Sequence, residues 1–196
     1  MKRISIWSRP GGSGRSTIAL NLAAALAAGG ARVLLVDSDP QSAALLWARL
    51  ASNANRPTAF VVTAGLPRRQ DDYDFILFDH AAGARKAAPP GELVVIPTLT
   101  DAASVLTLNE VRSDLKRQGK RTLVVANRWR KDRREHHHVL GLLGDVPVLR
   151  DRAVFATAYG RGATIYDADA GLLHTGNARA EMDELRSRVV RAGEGR

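Results

Sequence analysis

The chain has 196 residues, no cysteine, and 29 lysines and arginines against 20 acids, a formal net charge of +9. This length suits one domain, 1–196, with a sizeable core. The lack of cysteine excludes a disulfide framework and a thiolate metal site and points to a reducing cytosol. After the basic pair Lys2-Arg3 the chain is too polar for a secretory signal, and no apolar run approaches a membrane span, so no membrane partner is expected. The basic balance suggests a polyanionic partner, nucleic acid before membrane surface, without saying where the charge sits.

Ile4-Ser5-Ile6-Trp7 reads as a short buried strand, and Ile18 to Ala28 as a helix ended by Gly29-Gly30. Between them lies Ser8-Arg9-Pro10-Gly11-Gly12-Ser13-Gly14-Arg15-Ser16-Thr17. Strand, glycine-rich turn and helix is the setting that a phosphate-binding loop requires. Glycines let successive N–H groups converge on an anion, and the helix N-terminus adds the positive end of its dipole. Gly11, Gly12, Ser13, Gly14, Arg15, Ser16 and Thr17 are therefore candidate nucleotide-binding residues, with the Ser16 hydroxyl placed for Mg²⁺. A glycine-rich turn without a ligand would look the same locally, so the loop alone decides nothing.

The next run, Arg32 to Asp37, is too short for a helix and suits a strand buried on both faces of a parallel sheet. It ends in Asp37-Ser38-Asp39-Pro40-Gln41, with Pro40 suited to start a helix over 41–50. Asp39 either faces a ligand at the sheet's carboxyl edge or caps that helix. Thr58 to Val62 is a third strand candidate. Asp74 to Asp79 is a fourth, whose terminal aspartate suits a Mg²⁺-bound water. Leu93 to Thr98 reads as a strand stopped by Pro97, and Asp101 to Gln118 as a helix through Val105, Leu108, Val111 and Leu115. Arg121 to Asn127 and Val146 to Leu149 are further strands. The tail from Asn177 to Arg191 is an amphipathic helix with Met182, Leu185 and Val189 inward. The alternation predicts an α/β fold with a mostly parallel central sheet and helices on both faces.

A second dense feature is Arg128-Trp129-Arg130-Lys131-Asp132-Arg133-Arg134-Glu135, followed by three histidines. Asp132 and Glu135 would make a capping box for a helix through Leu143. Arg128, Arg130, Lys131, Arg133 and Arg134 are candidate DNA-binding residues through phosphate contacts without base readout. A solvated charged face is the alternative. The histidines resemble a metal tract in composition only, because adjacent helical positions diverge around the axis.

Several of these boxes together resemble the ParA/MinD family of deviant Walker A partition ATPases. The resemblance is closest to the short ParF-type proteins, which lack an N-terminal helix-turn-helix. The family's loop is usually Lys-Gly-Gly-x-Gly-Lys-Ser/Thr. Gly11, Gly12, Gly14 and Ser16 match it, while the two lysines fall on Pro10 and Arg15. Asp37 to Gln41 resembles switch I, where Asp39 would position the hydrolytic water. Tyr73, Asp74 and Asp79 fit the Walker B box, with Asp79 serving Mg²⁺. His80 to Gly83 stands in the place of switch II, and His80 carries no assigned role. Asn127 stands where the family faces the adenine edge, and Arg150 to Arg152 and Ile165 to Asp167 fall where short members carry their last loop and helix.

The resemblance implies a P-loop NTPase that binds ATP or ADP with Mg²⁺ and forms a nucleotide-dependent homodimer. It also implies nonspecific binding to nucleoid DNA in the cytoplasm and release by a ParB-like or other adaptor protein. Asp39 and Arg15 are the expected catalytic residues. With both lysines replaced, hydrolysis is expected to be slow or absent. The alternative is a non-catalytic DNA- or protein-binding module that keeps the fold and has lost turnover.

Overall fold

The computed structural model describes residues 1–9, 11–83 and 89–194. Among these, seven strands form one all-parallel sheet: β1 Lys2–Ile6, β2 Val33–Ser38, β3 Val61–Thr63, β4 Phe75–His80, β5 Leu93–Leu99, β6 Arg121–Trp129 and β7 Val148–Arg150. Their spatial order is β3-β2-β4-β1-β5-β6-β7. Among the described residues six α-helices accompany them, the last two after β7: α1 Arg15–Ala28, α2 Ala43–Asn53, α3 Ala102–Arg117, α4 Arg134–Leu143, α5 Ala153–Gly160 and α6 Thr175–Glu194. None of these helices is long and apolar enough to cross a membrane.

The chain builds outward from β1 in one direction through β2 and β3. It then returns to place β4 on one side of β1 and β5 on the other. A reversal of this kind opens a crevice above the carboxyl end of the central strand, where α/β sheets bind ligands.

Strand side chains alternate between the two faces, and the core divides accordingly. Ile4, Ile6, Leu35, Leu77, Val95 and Val125 pack with α1, with Trp47 of α2, and with Met182, Leu185 and Val189 of α6. The other parity, Val94, Ile96 and Val124, packs with Leu108, Val111 and Leu115 of α3. α1 is buried on every side from Ile18 to Leu26, which fixes its N-terminus against the sheet edge. Each fully buried leucine or isoleucine contributes roughly 1.5–3 kcal/mol of transfer free energy.

Several local expectations change. Pro97 does not stop β5, which runs on to Leu99. Strand N–H groups alternate in direction, and the one that Pro97 lacks falls on the side where β1 has already turned away. Trp7 N–H makes the last bond there, to the Val95 carbonyl at 3.0 Å. Pro40 lies in a turn ahead of α2 rather than inside it. Asp132 and Glu135 form no capping box. α4 starts at Arg134 behind Arg133, and the Asp132 carboxylate binds the Arg130 guanidinium instead. α5 is a helix that periodicity does not announce.

Candidate nucleotide site

The loop after β1 is built on a buried pair of hydroxyls. Ser8 and Ser13 lie under it, sharing a 2.6 Å hydrogen bond between their Oγ atoms. Gly14 then caps α1 with φ 85° and ψ 24°, a left-handed conformation that glycine adopts without strain. A Cβ at Gly14 would lie 2.3 Å from the Asn127 Nδ2 atom. No side chain caps α1 and no acid stands in its first turn, so its N–H groups and dipole remain available to an anion. Ser16 and Thr17 are half-buried in that first turn, and Gly11 and Gly12 are exposed at the rim. Pro10 lies outside the described residues.

Asn127 is buried at the end of β6 and donates Nδ2–H to the Ser13 carbonyl at 2.7 Å. It therefore braces the loop from behind, a contact that its place in the sequence did not suggest. Arg15 is engaged as well. Its Nε donates to the His80 carbonyl at 2.9 Å, and its Nη1 approaches Ser8 Oγ at 3.1 Å and Ser13 Oγ at 3.3 Å. The guanidinium is thus bound between the loop floor and the tip of β4. His80 is not a loop residue. It ends β4, is buried, and bonds Ser5 Oγ through Nε2 at 3.0 Å. Arg9 is held against α3, 2.6 Å from Glu110 and 2.6 Å from Asp114.

Two aspartates stand side by side across the β2–β4 ladder, Asp37 opposite Asp79. Asp37 is satisfied: one oxygen accepts from Asp39 N–H at 3.1 Å, the other from Leu45 N–H at 3.0 Å. Asp37, and not Asp39, therefore tethers the first turn of α2. Asp39 is half-buried and accepts from Gln41 N–H at 2.9 Å. Asp79 has no solvent exposure, and neither of its carboxylate oxygens has a hydrogen-bond partner among the described residues. Burial pushes its pKa up to about 7; the Ser16 hydroxyl and the Arg15 charge pull it down, and Asp37 and Asp39 push it further up. A buried carboxylate left in this state is costly unless a cation or a proton meets it.

On the other side of the loop a cleft of roughly 520 Å³ runs from Gly14 and Thr17 to Asn127, Arg128, Arg150, Arg152, Phe155 and Tyr159. Its size suits a nucleoside-sized ligand. Glu181 of α6 holds two of the arginines: Arg152 Nη2 at 2.6 Å, and the backbone N–H of Arg150 at 3.0 Å. Arg150 also lies over the Trp129 ring at 5.3 Å. Arg128 is exposed, has φ 55°, and makes no side-chain hydrogen bond or salt bridge among the described residues. A positive φ costs a residue with a Cβ roughly 1 kcal/mol or more.

Residues 4–165 match the model of the CobQ/CobB/MinD/ParA nucleotide binding domain. The chain belongs to this family. The chromosome partitioning protein ParA of Caulobacter vibrioides is 38% identical over 65 residues, which are 33% of this chain and 24% of that protein. The match thus spans about a quarter of that relative's length. Among solved structures, MinD of Pyrococcus horikoshii OT3 complexed with Mg-ADP superposes with a TM-score of 0.72 at 20% identity, covering 99% of each chain. The MinC:MinD complex of Aquifex aeolicus gives 0.76 at 18% identity, covering 97% of this chain and 96% of that one. At this identity the structural likeness establishes the ParA/MinD fold.

In this family member the basic segment after β6 is not one patch. Arg128 lines the cleft. Arg130 pairs with Asp132 at 3.1 Å. Lys131, Arg133 and Arg134 are exposed and make no side-chain hydrogen bond or salt bridge among the described residues. The histidines serve the loop: His136 Nδ1 accepts from Arg130 N–H at 3.0 Å, and His137 Nε2 lies 2.8 Å from the Lys131 carbonyl. Among the described residues no three His, Asp or Glu side chains converge as a metal site.

Proposed function

We propose that the chain is a nucleotide-operated positioning protein that binds ATP or ADP with Mg²⁺ at the loop Gly11–Thr17. The observation that carries this is Asp79: a buried, unpartnered carboxylate at the strand edge beside the uncapped start of α1. Anion-seeking N–H groups and a cation-seeking carboxylate fit a phosphate–Mg²⁺ pair. Ser16 and Asp79 would hold the metal, whose role is to neutralise phosphate charge. Gly11, Gly12, Ser13, Gly14 and Thr17 would line the phosphates, and Asp39 would orient the attacking water.

Hydrolysis is slow or absent in this reading. Arg15 is the remaining cation in place of the family's second lysine, and the loop and β4 already engage it. Its planar fork is also a poor substitute for a point charge. The family's first lysine would act on the partner subunit's phosphates, and Pro10 has no charge to offer. Arg9 is bound to α3, so it does not reach across in its place. The ATP form would dimerise, bind nucleoid DNA in the cytoplasm through Lys131, Arg133 and Arg134, and let go when an adaptor protein acts on it.

The test is anisotropy of a labelled random-sequence duplex with ATP·Mg²⁺, with ADP·Mg²⁺ and without nucleotide. The reading expects tighter binding with ATP·Mg²⁺ and equal affinity for unrelated sequences. Affinity that ignores nucleotide would leave a DNA-binding module without a switch.

A further inference from the structure

A second cavity, of roughly 150 Å³, lies behind α2. Its floor is the aromatic pair Trp47 and Phe60, whose rings stack with centroids 5.3 Å apart and planes 5° apart. Ala24 and Ala27 of α1 form one wall and Gly162 the other, while Pro57 and Thr58 stand exposed at the mouth. The walls are held in place. Trp47 Nε1 donates to the Ala163 carbonyl at 2.9 Å. A Cβ at Gly162 would lie 2.3 Å from the Ala51 nitrogen, so the loop after α5 presses backbone to backbone on α2. Arg56 also lines the cavity, and its Nε and Nη1 are buried with no hydrogen-bond partner among the described residues. Nη1 lies 2.8 Å from Asp169, an ion pair without hydrogen-bond alignment, and the Asp169 side chain is 72% exposed. Buried donors left in this state are costly until an acceptor meets them. Asp167 stands at the same cavity, with one oxygen accepting from Thr164 N–H at 2.6 Å and from the Thr164 hydroxyl at 2.9 Å.

We propose that this cavity binds a single neutral aromatic ring that carries a carbonyl, as an aromatic carboxamide does. A cavity of this size holds one benzene-sized ring. Trp47 and Phe60 give that ring an aromatic neighbour, which it prefers to an aliphatic one. Arg56 supplies the donors that a carbonyl oxygen completes. The charges select a neutral ligand over a carboxylate, because Asp167 and Asp169 together outweigh Arg56 and would repel an anion. The place is remote from the phosphate loop. α1 starts at Arg15 and rises 1.5 Å per residue, which puts Ala24 and Ala27 about 14–18 Å further along. The cavity shares no lining residue with the cleft beside Gly14. Binding here is therefore independent of the nucleotide reading.

Nuclear magnetic resonance titration of the intact ¹⁵N-labelled chain with benzamide, benzoate and cyclohexanecarboxamide tests this. The chain has three tryptophans, and the Trp47 indole resonance is the one missing in Trp47→Phe. Benzamide is expected to shift that resonance saturably at about millimolar concentration, leaving those of Trp7 and Trp129 in place. Benzoate and cyclohexanecarboxamide should each bind roughly fivefold more weakly. Arg56→Met keeps the apolar stem without the donors and should weaken benzamide by roughly tenfold. Ala27→Leu fills the cavity and should abolish the shift while the melting temperature of the free chain holds or rises. It keeps the test open if Arg56→Met folds poorly. No saturable shift of the Trp47 indole, an equal shift in Ala27→Leu, or benzoate bound as tightly as benzamide would overturn the proposal.

Discussion

The two flanks of the phosphate loop are built alike with opposite charge. On the β2–β4 side stand two aspartates, and the backbone satisfies Asp37 while leaving Asp79 bare. On the β6–β7 side stand three arginines, and Glu181 holds Arg150 and Arg152 while Arg128 has no such partner among the described residues. The satisfied member of each set is architecture: Asp37 tethers α2, and Arg150 and Arg152 fasten α6 to the sheet edge. Of the two left over, Asp79 is buried and keeps its demand for a cation or a proton, while Arg128 is exposed and solvated by water. Charge type does not separate the residues that the fold ties down from those that it leaves without a side-chain partner; completed hydrogen bonding does.

The largest effect is expected where the two flanks meet. Gly14→Ala would force a strained φ and drive a methyl group into the Asn127 amide, which braces Ser13. It should cost roughly 2–4 kcal/mol of stability and abolish nucleotide binding. Chemical denaturation and titration of the variant check both, and near-normal values in each would mean that the loop relaxes freely.

Next comes Asp79. Its pKa, raised to about 7, exceeds the ordinary carboxylate value of 3.8, so between those pH values the folded chain holds a proton that the unfolded chain has lost. Stability of the nucleotide-free chain should therefore fall as pH rises from about 4 to 7 and level off above. Asp79→Asn should remove the fall and raise the melting temperature at pH 8 by roughly 5–10 °C, on the order of 3 kcal/mol. It should also erase any Mg²⁺ dependence of nucleotide binding. A variant less stable than wild type at pH 8 would show that Asp79 is already satisfied and is architecture like Asp37.

Pro10→Lys combined with Arg15→Lys should raise the phosphate-release rate by at least tenfold, since a trans cation is worth several orders of magnitude in related phosphoryl transfers. Asp39→Ala in that background should remove the gain. A wild-type rate matching the double variant would mean that Arg15 already serves. The smallest effect belongs to the exposed cations. Arg133→Ala with Arg134→Ala should weaken all DNA sequences alike and flatten the salt slope by about 2, leaving nucleotide affinity unchanged. An unchanged slope would move the DNA surface to Arg112 and Lys116 on α3.

The sheet was legible because strands buried on both faces read as unbroken apolar runs, as at Leu34-Leu35-Val36 and Phe75-Ile76-Leu77-Phe78. α3 and α6 were legible from their inward positions at helical spacing. α5 was not: Val154, Phe155, Ala158 and Tyr159 face the core, but Ala153 and Ala156 make its outer face nearly as apolar, so no periodic contrast marks it. The end of β6 was hidden because Arg128 breaks the apolar run, although Trp129 returns to the ladder. The loop's glycines announced the turn into α1, where Gly14 takes its left-handed conformation. The brace from Asn127 has no local signature, because its partner Ser13 lies far away in sequence, and the tether from Asp37 depends on how the turn after β2 folds back on the strand end. Adjacency in sequence puts Arg128 with the basic segment, while the bulge in β6 between Ala126 and Trp129 places it at the cleft.

In the proposed function the bare carboxylate and the uncapped helix together take a nucleotide with its metal. Titration of ADP and ATP into the chain, each with and without Mg²⁺, tests it most directly. Measurable binding of both nucleotides is expected, strengthened by Mg²⁺ in wild type and indifferent to Mg²⁺ in Asp79→Asn. No heat and no thermal shift at millimolar nucleotide with Mg²⁺, or the same Mg²⁺ enhancement in both proteins, would contradict it.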